Sequence, residues 1–300
     1  METIESLKRK ISSAQDLRSV VKTMKALAAV NIRQYEKAVE SLAEYNRTVE
    51  IGFQILLMQR PAEVAIVEPA LSESLGVIVF GSDQGMVGQF NEIIAQHTAN
   101  EMATLRTDRQ NVAVLAVGQR ISSRLQEAGQ PVEDVIAVPG SSAAITPTVQ
   151  DVVLTIEAWR MQREIHRILL LYNKPLSGSS YRPHSLQVLP VDPEWFRDLQ
   201  YRPWPCRAVP LFTMDWNRLL STLIRQYLFV SIYRAFAESL ASENASRLAS
   251  MQVAERNIED RLEELHAQFH QRRQTTIMEE LFDIVTGFEA LTGESTQRQP

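Results

Sequence analysis

The chain has 300 residues, 45% of them hydrophobic and 22% charged, with a formal net charge of -5 and a single cysteine, Cys206. That is enough apolar content for one large or two ordinary domains, and a charge balance that does not suit a nucleic-acid binder. One thiol excludes an internal disulfide and a thiolate zinc cluster, and no run approaches the ~18 apolar residues of a membrane span. The opening residues are charged and helix-patterned, with no apolar secretion signal, so the expected compartment is cytoplasm-like.

Helix breakers locate the elements. Of the 11 glycines and 13 prolines, none precedes Gly52 and none falls between Leu211 and Thr286. Glycine costs a helix interior about 1 kcal/mol and proline about 3, so the two ends read as long helical arms around a compact middle. The predicted segments are an N-terminal helix over 1–56, an α/β domain over 57–210 and a C-terminal helix over 211–300. In the first arm Ile4, Leu7, Ile11, Ala14, Leu17, Val21, Met24, Ala28, Ile32, Tyr35, Val39 and Leu42 recur at about 3.5 residues, the spacing of a seam that needs a partner helix.

The middle alternates apolar β-branched runs with helical patterns: Val77 to Phe80, a helix from Asn91, Val112 to Val117, then a helix from Gln119. Val135 to Val138, Val149 to Arg163, Ile168 to Tyr172 and Leu186 to Leu189 continue it, with turns at Pro139-Gly140 and Pro175 to Gly178. The order predicts a small, mostly parallel sheet flanked by helices. Trp195 to Pro210 reads as an irregular linker. The second arm carries the same stripe in Leu219, Leu223, Tyr227 and Val230, in Ile258, Leu262, Leu265 and Phe269, and in Ile277, Leu281, Ile284, Phe288 and Leu291.

A breaker-free stretch of this length would span roughly 110 Å as a helix, so both seams are best buried against each other as an antiparallel coiled coil. Seven basic residues between Leu7 and Tyr35 oppose eight acids between Glu255 and Asp283, which suits such pairing, with ordinary solvated faces as the alternative.

The candidate chemistry is thin. Gly81-Ser82-Asp83-Gln84-Gly85-Met86-Val87-Gly88 is a glycine-rich turn between strand and helix, where phosphate could rest on backbone amides. It has neither the Lys-Ser/Thr pair of a phosphate loop nor the G-x-G start of a dinucleotide fold. His266 and His270 stand four apart without a zincin glutamate, and Glu263-Glu264 and Glu279-Glu280 have no pocket to tune them, so all read as surface groups. No catalytic residue, cofactor or metal is expected.

Several stretches resemble the gamma subunits of F-type rotary ATP synthases. Leu7-Lys8-Arg9-Lys10-Ile11 with Val21-Lys22-Thr23-Met24-Lys25-Ala26-Leu27-Ala28-Ala29 is similar to that family's N-terminal helix, and Ser82 to Gly88 to its Ser-Asp-Arg-Gly-Leu-Cys-Gly loop. Tyr172-Asn173-Lys174 and Leu189-Pro190 fall at similar short motifs. Glu238 to Leu248 resembles the leucine-alanine-serine-glutamate segment, and Ile277 to Gly287 the terminal signature. The likeness covers roughly half of the chain. Gln84 stands in place of the family's arginine, Met278 of its threonine and Phe288 of its alanine, which marks a divergent member and would suit the alternative, sodium-translocating branch.

The resemblance implies a rotor shaft with no active site of its own. The arms would form a shaft inside a ring of three alpha and three beta subunits, and the α/β domain would sit on the membrane c-ring beside epsilon, on the cytoplasmic face of the bacterial inner membrane. Met24 and Lys25 would lie where the shaft bears on beta. Ser82, Asp83, Gln84, Gly85 and Val87 would approach beta's acidic lever loop, Arg247 would tie shaft contacts together, and Arg273, Gln274 and Glu280 would make polar contacts with the ring. The apolar tip from Ile277 to Leu291 would run in a hydrophobic sleeve. The rival readings are a coiled-coil scaffold and a small α/β enzyme with a helical dimerisation hairpin.

Overall fold

A computed structural model describes residues 3–61, 74–105, 111–176, 180–204 and 210–296, with the side chains of the last helix described as far as residue 286. Cys206, the tip of the turn after Pro175, Phe288 and Leu291 therefore lie outside the described side chains. The elements are α1 (Ile4–Met58), β1 (Leu75–Phe80), α2 (Phe90–Leu105), β2 (Val112–Val117), α3 (Gln119–Glu127), β3 (Val132–Ile136), α4 (Ser142–Gln162), β4 (Arg167–Pro175), β5 (Tyr181–Leu189), α5 (Pro193–Tyr201) and α6 (Trp216–Thr296). They divide into two compact units, one of residues 1–26 and 251–300, the other of residues 27–250.

In the first unit α1 and α6 run antiparallel. Leu7 and Ile11 are buried against Leu262 and Leu265, with Ala14, Ile258 and Phe269 at the margin. The phase of the seam differs from the sequence expectation at one step. Leu17 is 57% exposed, and Arg18 takes the inward position, where it pairs with Glu259. A strict heptad explains this: Leu7, Ala14 and Val21 hold one seam position, and Ile11, Arg18 and Lys25 the other. The two cations that fall there are answered from α6, Arg18 by Glu259 and Lys25 by Glu255, so the opposed charges of the arms are paired across the seam.

The second unit is built on a five-stranded sheet of order β3-β2-β1-β4-β5, in which only β5 runs antiparallel to its neighbour. Strand alternation sends Ile78, Phe80, Leu115, Leu170 and Tyr172 to one face, where α4 and α6 cover them with Ile145, Val149, Ile232 and Phe236. Val77, Val79, Val114 and Leu171 point the other way, under Ile94 of α2 and Ile121 and Leu125 of α3. Strands buried on both faces read as continuous apolar runs, which is why β1 and β2 were legible.

The segment expected as an irregular linker instead contains α5. Asp192 caps it by accepting from the Glu194 amide, and Pro193 occupies the first turn, where its missing N–H costs nothing. Its Trp195, Phe196 and Leu199 pack on Phe53 of α1, with ring centroids 5.4 Å apart for Phe53 and Trp195. α1 also runs through Gly52: a Cβ there would lie 2.8 Å from Leu223 Cδ2, so the glycine serves close approach of α1 to α6 rather than a helix stop.

Candidate functional site

The glycine-rich loop leaves the carboxyl end of β1 and is held from beneath by its own side chains. Ser82 is fully buried. Its amide donates to Asn91 Oδ1 at 3.0 Å, Asn91 Nδ2 donates to Ser82 Oγ at 2.8 Å, and Ser82 Oγ donates to the Gln84 carbonyl at 2.8 Å. Asp83 accepts the Gln119 amide on Oδ1 and the Val138 amide on Oδ2, both at 2.8 Å. One carboxylate thus ties together the ends of β1, β2 and β3. Hydrogen bonds to a charged acceptor are worth up to about 1.5–3 kcal/mol each, less where solvent reaches them as at Gln119, so Asp83 acts as a clasp. The first two amides of the loop are engaged within the fold, that of Gly81 donating to the Val117 carbonyl and that of Ser82 to Asn91.

Gly118 makes this clasp possible. It enters α3 with φ 115°, and a Cβ there would lie 2.7 Å from the Ser82 carbonyl oxygen. Beyond Asp83 the loop turns outward. Gln84 and Met86 are exposed, Met86 in the left-handed region with φ 62°, while Val87 is buried and its carbonyl accepts from Ser246 Oγ of α6 at 2.6 Å.

Beside the loop lies a polar recess of about 190 Å³ lined by Tyr35, Asp83, Gln84, Glu243, Asn244 and Arg247, among others. Arg247 donates to Glu243 Oε1 at 2.6 Å one helical turn away, and its Nε is buried without a partner among the described residues. Burial pushes the Glu243 carboxyl above the usual carboxylate range although Arg247 opposes it, and the Asp83 charge adds to the rise. Burial also raises the Tyr35 phenol, with Glu243 contributing.

The structure therefore gathers Ser82, Asp83, Gln84, Gly85, Val87 and Arg247 into one region of the second unit. Met24 and Lys25 belong to the first unit, half-buried, with Lys25 engaged by Glu255. Arg273, Gln274 and Glu280 are exposed on α6, beyond Phe269, the last residue packed on the seam cluster. Sequence reasoning missed Asn91, Gly118, Ser246 and Tyr35 as members of the loop's support. Only Gly118 carried a local signal, a second strand-glycine-helix junction after β2.

Ile277, Met278, Leu281, Phe282, Ile284 and Val285 are all 46–69% exposed. Six large apolar side chains on one bare helical segment are a surface that awaits cover. Among the described residues no helix is long and apolar enough to cross a membrane, and no group of three His, Cys, Asp or Glu could hold a metal ion.

A family model described as ATP synthase matches residues 3–291. The chain belongs to the ATP synthase gamma family. The gamma chain of Nostoc punctiforme is 26% identical over 97% of this chain and 100% of its own length, and that of Nautilia profundicola 24% identical over 97% and 99%. The fold matches a chain from the Euglena gracilis mitochondrial ATP synthase, OSCP/F1/c-ring in rotational state 3, with TM-score 0.63 at 14% identity, covering 99% of this chain and 98% of that one. A chain from the rotor of the same enzyme in rotational state 1 gives 0.59 at 13%, covering 91% and 98%. One from the central stalk and c-ring of the Tetrahymena thermophila enzyme gives 0.54 at 19%, covering 78% and 99%. Gamma-family membership makes this a non-catalytic, central-stalk subunit of a membrane-bound rotary complex, peripheral to the membrane, and neither the scaffold nor the enzyme reading finds support in the comparisons.

Proposed function

We propose that this gamma subunit is the rotor shaft that couples ion flow through a membrane c-ring to ATP synthesis or hydrolysis in a head of alpha and beta subunits, with epsilon beside it and no active site of its own. The carrying observation is the family match over residues 3–291. The bacterial names among its relatives support a place on the cytoplasmic face of an inner membrane.

The work is conformational. A shaft that presents different faces to the catalytic subunits gives each a different contact energy, and only such a difference biases an open against a closed state. The bare apolar stretch from Ile277 to Val285 suits a bearing surface, since apolar contact is non-directional and lets a helix turn without breaking fixed bonds. Met24, Lys25, Gln84, Gly85, Arg247, Arg273, Gln274 and Glu280 are the assigned contact residues. Gln84 and the exposed Arg273, Gln274 and Glu280 have the accessibility this needs, whereas Ser82, Asp83 and Val87 serve by shaping the loop.

Co-expression with the alpha and beta subunits of the same operon, followed by native mass spectrometry and an ATPase assay, tests this. A complex of three alpha, three beta and one copy of this chain is expected. A stable chain that never joins such a complex would overturn the assignment.

A further inference from the structure

Apolar packing holds the sheet of the second unit on α6, but two buried polar ties cross the same interface. Tyr172, in the middle of β4 and 1% exposed, donates from its hydroxyl to Glu238 Oε2 of α6 at 2.9 Å. Eight residues further along α6, Ser246 Oγ reaches the Val87 carbonyl, and Tyr181 of β5 lies 3.4 Å from the same hydroxyl. At 3.6 residues per turn and 1.5 Å rise, the two grips are about 12 Å apart along α6 and about 80° apart around it.

Glu238 is a costly residue for this place. Its side chain is 9% exposed, and its nearest cation, Arg234 on the preceding turn of the same helix, stands off at 3.8 Å. Facing it from the sheet are the Tyr172 hydroxyl and the His184 ring, which packs edge-on against Tyr172 and is itself under the charges of Lys174, Arg182 and His97. A buried carboxylate of this kind adds little net stability, and a shape-matched apolar pair would do as well. What it adds is direction. Apolar contact is indifferent to small sliding, whereas a hydrogen bond fixes one helix azimuth and height relative to the sheet.

We propose that Tyr172 and Glu238 form a torsional lock, the directional tie by which torque passes between the α/β body and α6. The inference rests on the rotor reading above. Both are positioning residues, acting through α6 rather than on any reacting atom.

The test uses the assembled ATP synthase in membrane vesicles, reading the ratio of ATP-driven ion pumping to ATP hydrolysis together with the melting temperature of the complex. Glu238→Gln keeps an acceptor for the tyrosine and is expected to couple like the parent. Glu238→Leu is expected to lower the ratio about fivefold, the weight of one net hydrogen bond of about 1 kcal/mol. The deciding variant is the Tyr172→Phe, Glu238→Leu pair, which leaves no buried polar group unmatched and so regains thermal stability. Coupling that stays about fivefold low in that stable double variant supports the lock. Coupling that returns with stability overturns it and reduces the pair to ordinary packing. A parent chain that never assembles with alpha and beta defeats the rotor reading itself, a different failure from either result in the variants.

Discussion

Gly118→Ala isolates the backbone strain that supports the loop. Gly118 sits at φ 115° and ψ 137°, a region that costs a residue with a side chain on the order of 1–3 kcal/mol. The new Cβ would also stand 2.7 Å from the Ser82 carbonyl oxygen, 2.8 Å from its carbon and 3.0 Å from its nitrogen. Those are backbone atoms and cannot rotate aside as a side-chain tip would. Moving them strains the bond from the Arg120 amide to the Ser82 carbonyl, 2.9 Å, and that from the Ser82 amide to Asn91, 3.0 Å. Losing one adds about 1 kcal/mol, for a total of about 2–4. Gly129→Ala is the control. It has φ 73° with nothing within 4 Å of its would-be Cβ, so only the conformational cost of about 1 kcal/mol applies. The gap of about 1–3 kcal/mol corresponds to a melting difference of roughly 2–5 °C for a chain of this size. Near-ultraviolet circular dichroism of the full chain, melted side by side, measures it. Melting of the two variants within a degree of each other would show that Ser82 yields freely, and the strain argument would fail.

Reversing one seam charge, Lys25→Glu, should lower the melting temperature in low salt, and adding Glu255→Lys should restore most of it, an effect that fades as salt rises. The hydrogen bond from Lys25 holds the Glu255 carboxyl below its ordinary 4.5. A lowered acid contributes stability above its unfolded value, so the advantage over Glu255→Gln should be full above about pH 4.5 and vanish as pH falls through the lowered folded value, as melting curves against pH would reveal. Phe236→Ala should cost about 3–5 kcal/mol in urea denaturation, because the ring is fully buried and meets Phe80 edge-on at 4.8 Å. Arg273→Ala should leave assembly intact and weaken ATP-driven pumping in vesicles, since the side chain is exposed where the seam has ended; unchanged pumping would count against its contact role.

Much of the fold was legible because its signals are local. Missing glycine and proline mark a long helix without reference to anything else, and a seam spaced at about 3.5 residues announces that a partner helix is required. The doubly buried strands were equally plain. Leu17 shows where such reading stops: a run of threes and fours fits either Leu17 or Arg18, and hydrophobicity favours the wrong one. The choice depends on Glu259, 241 residues away, which makes a charged seam position tolerable. α5 was lost for a related reason, since its prolines suggested a linker while its helix rests on Phe53, far away in the chain.

The sequence by itself determined two helical arms, an α/β middle with a glycine-rich loop, and a likeness that the family match bears out. Tertiary structure decided what the loop residues do. Asp83 became a clasp only when the ends of β2 and β3 presented two amides to it, and Glu243, Arg247 and Tyr35 became one recess only when α1 and α6 met the loop. Backbone propensity is set by neighbours in the chain, whereas burial and the pairing of a charge are set by neighbours in space.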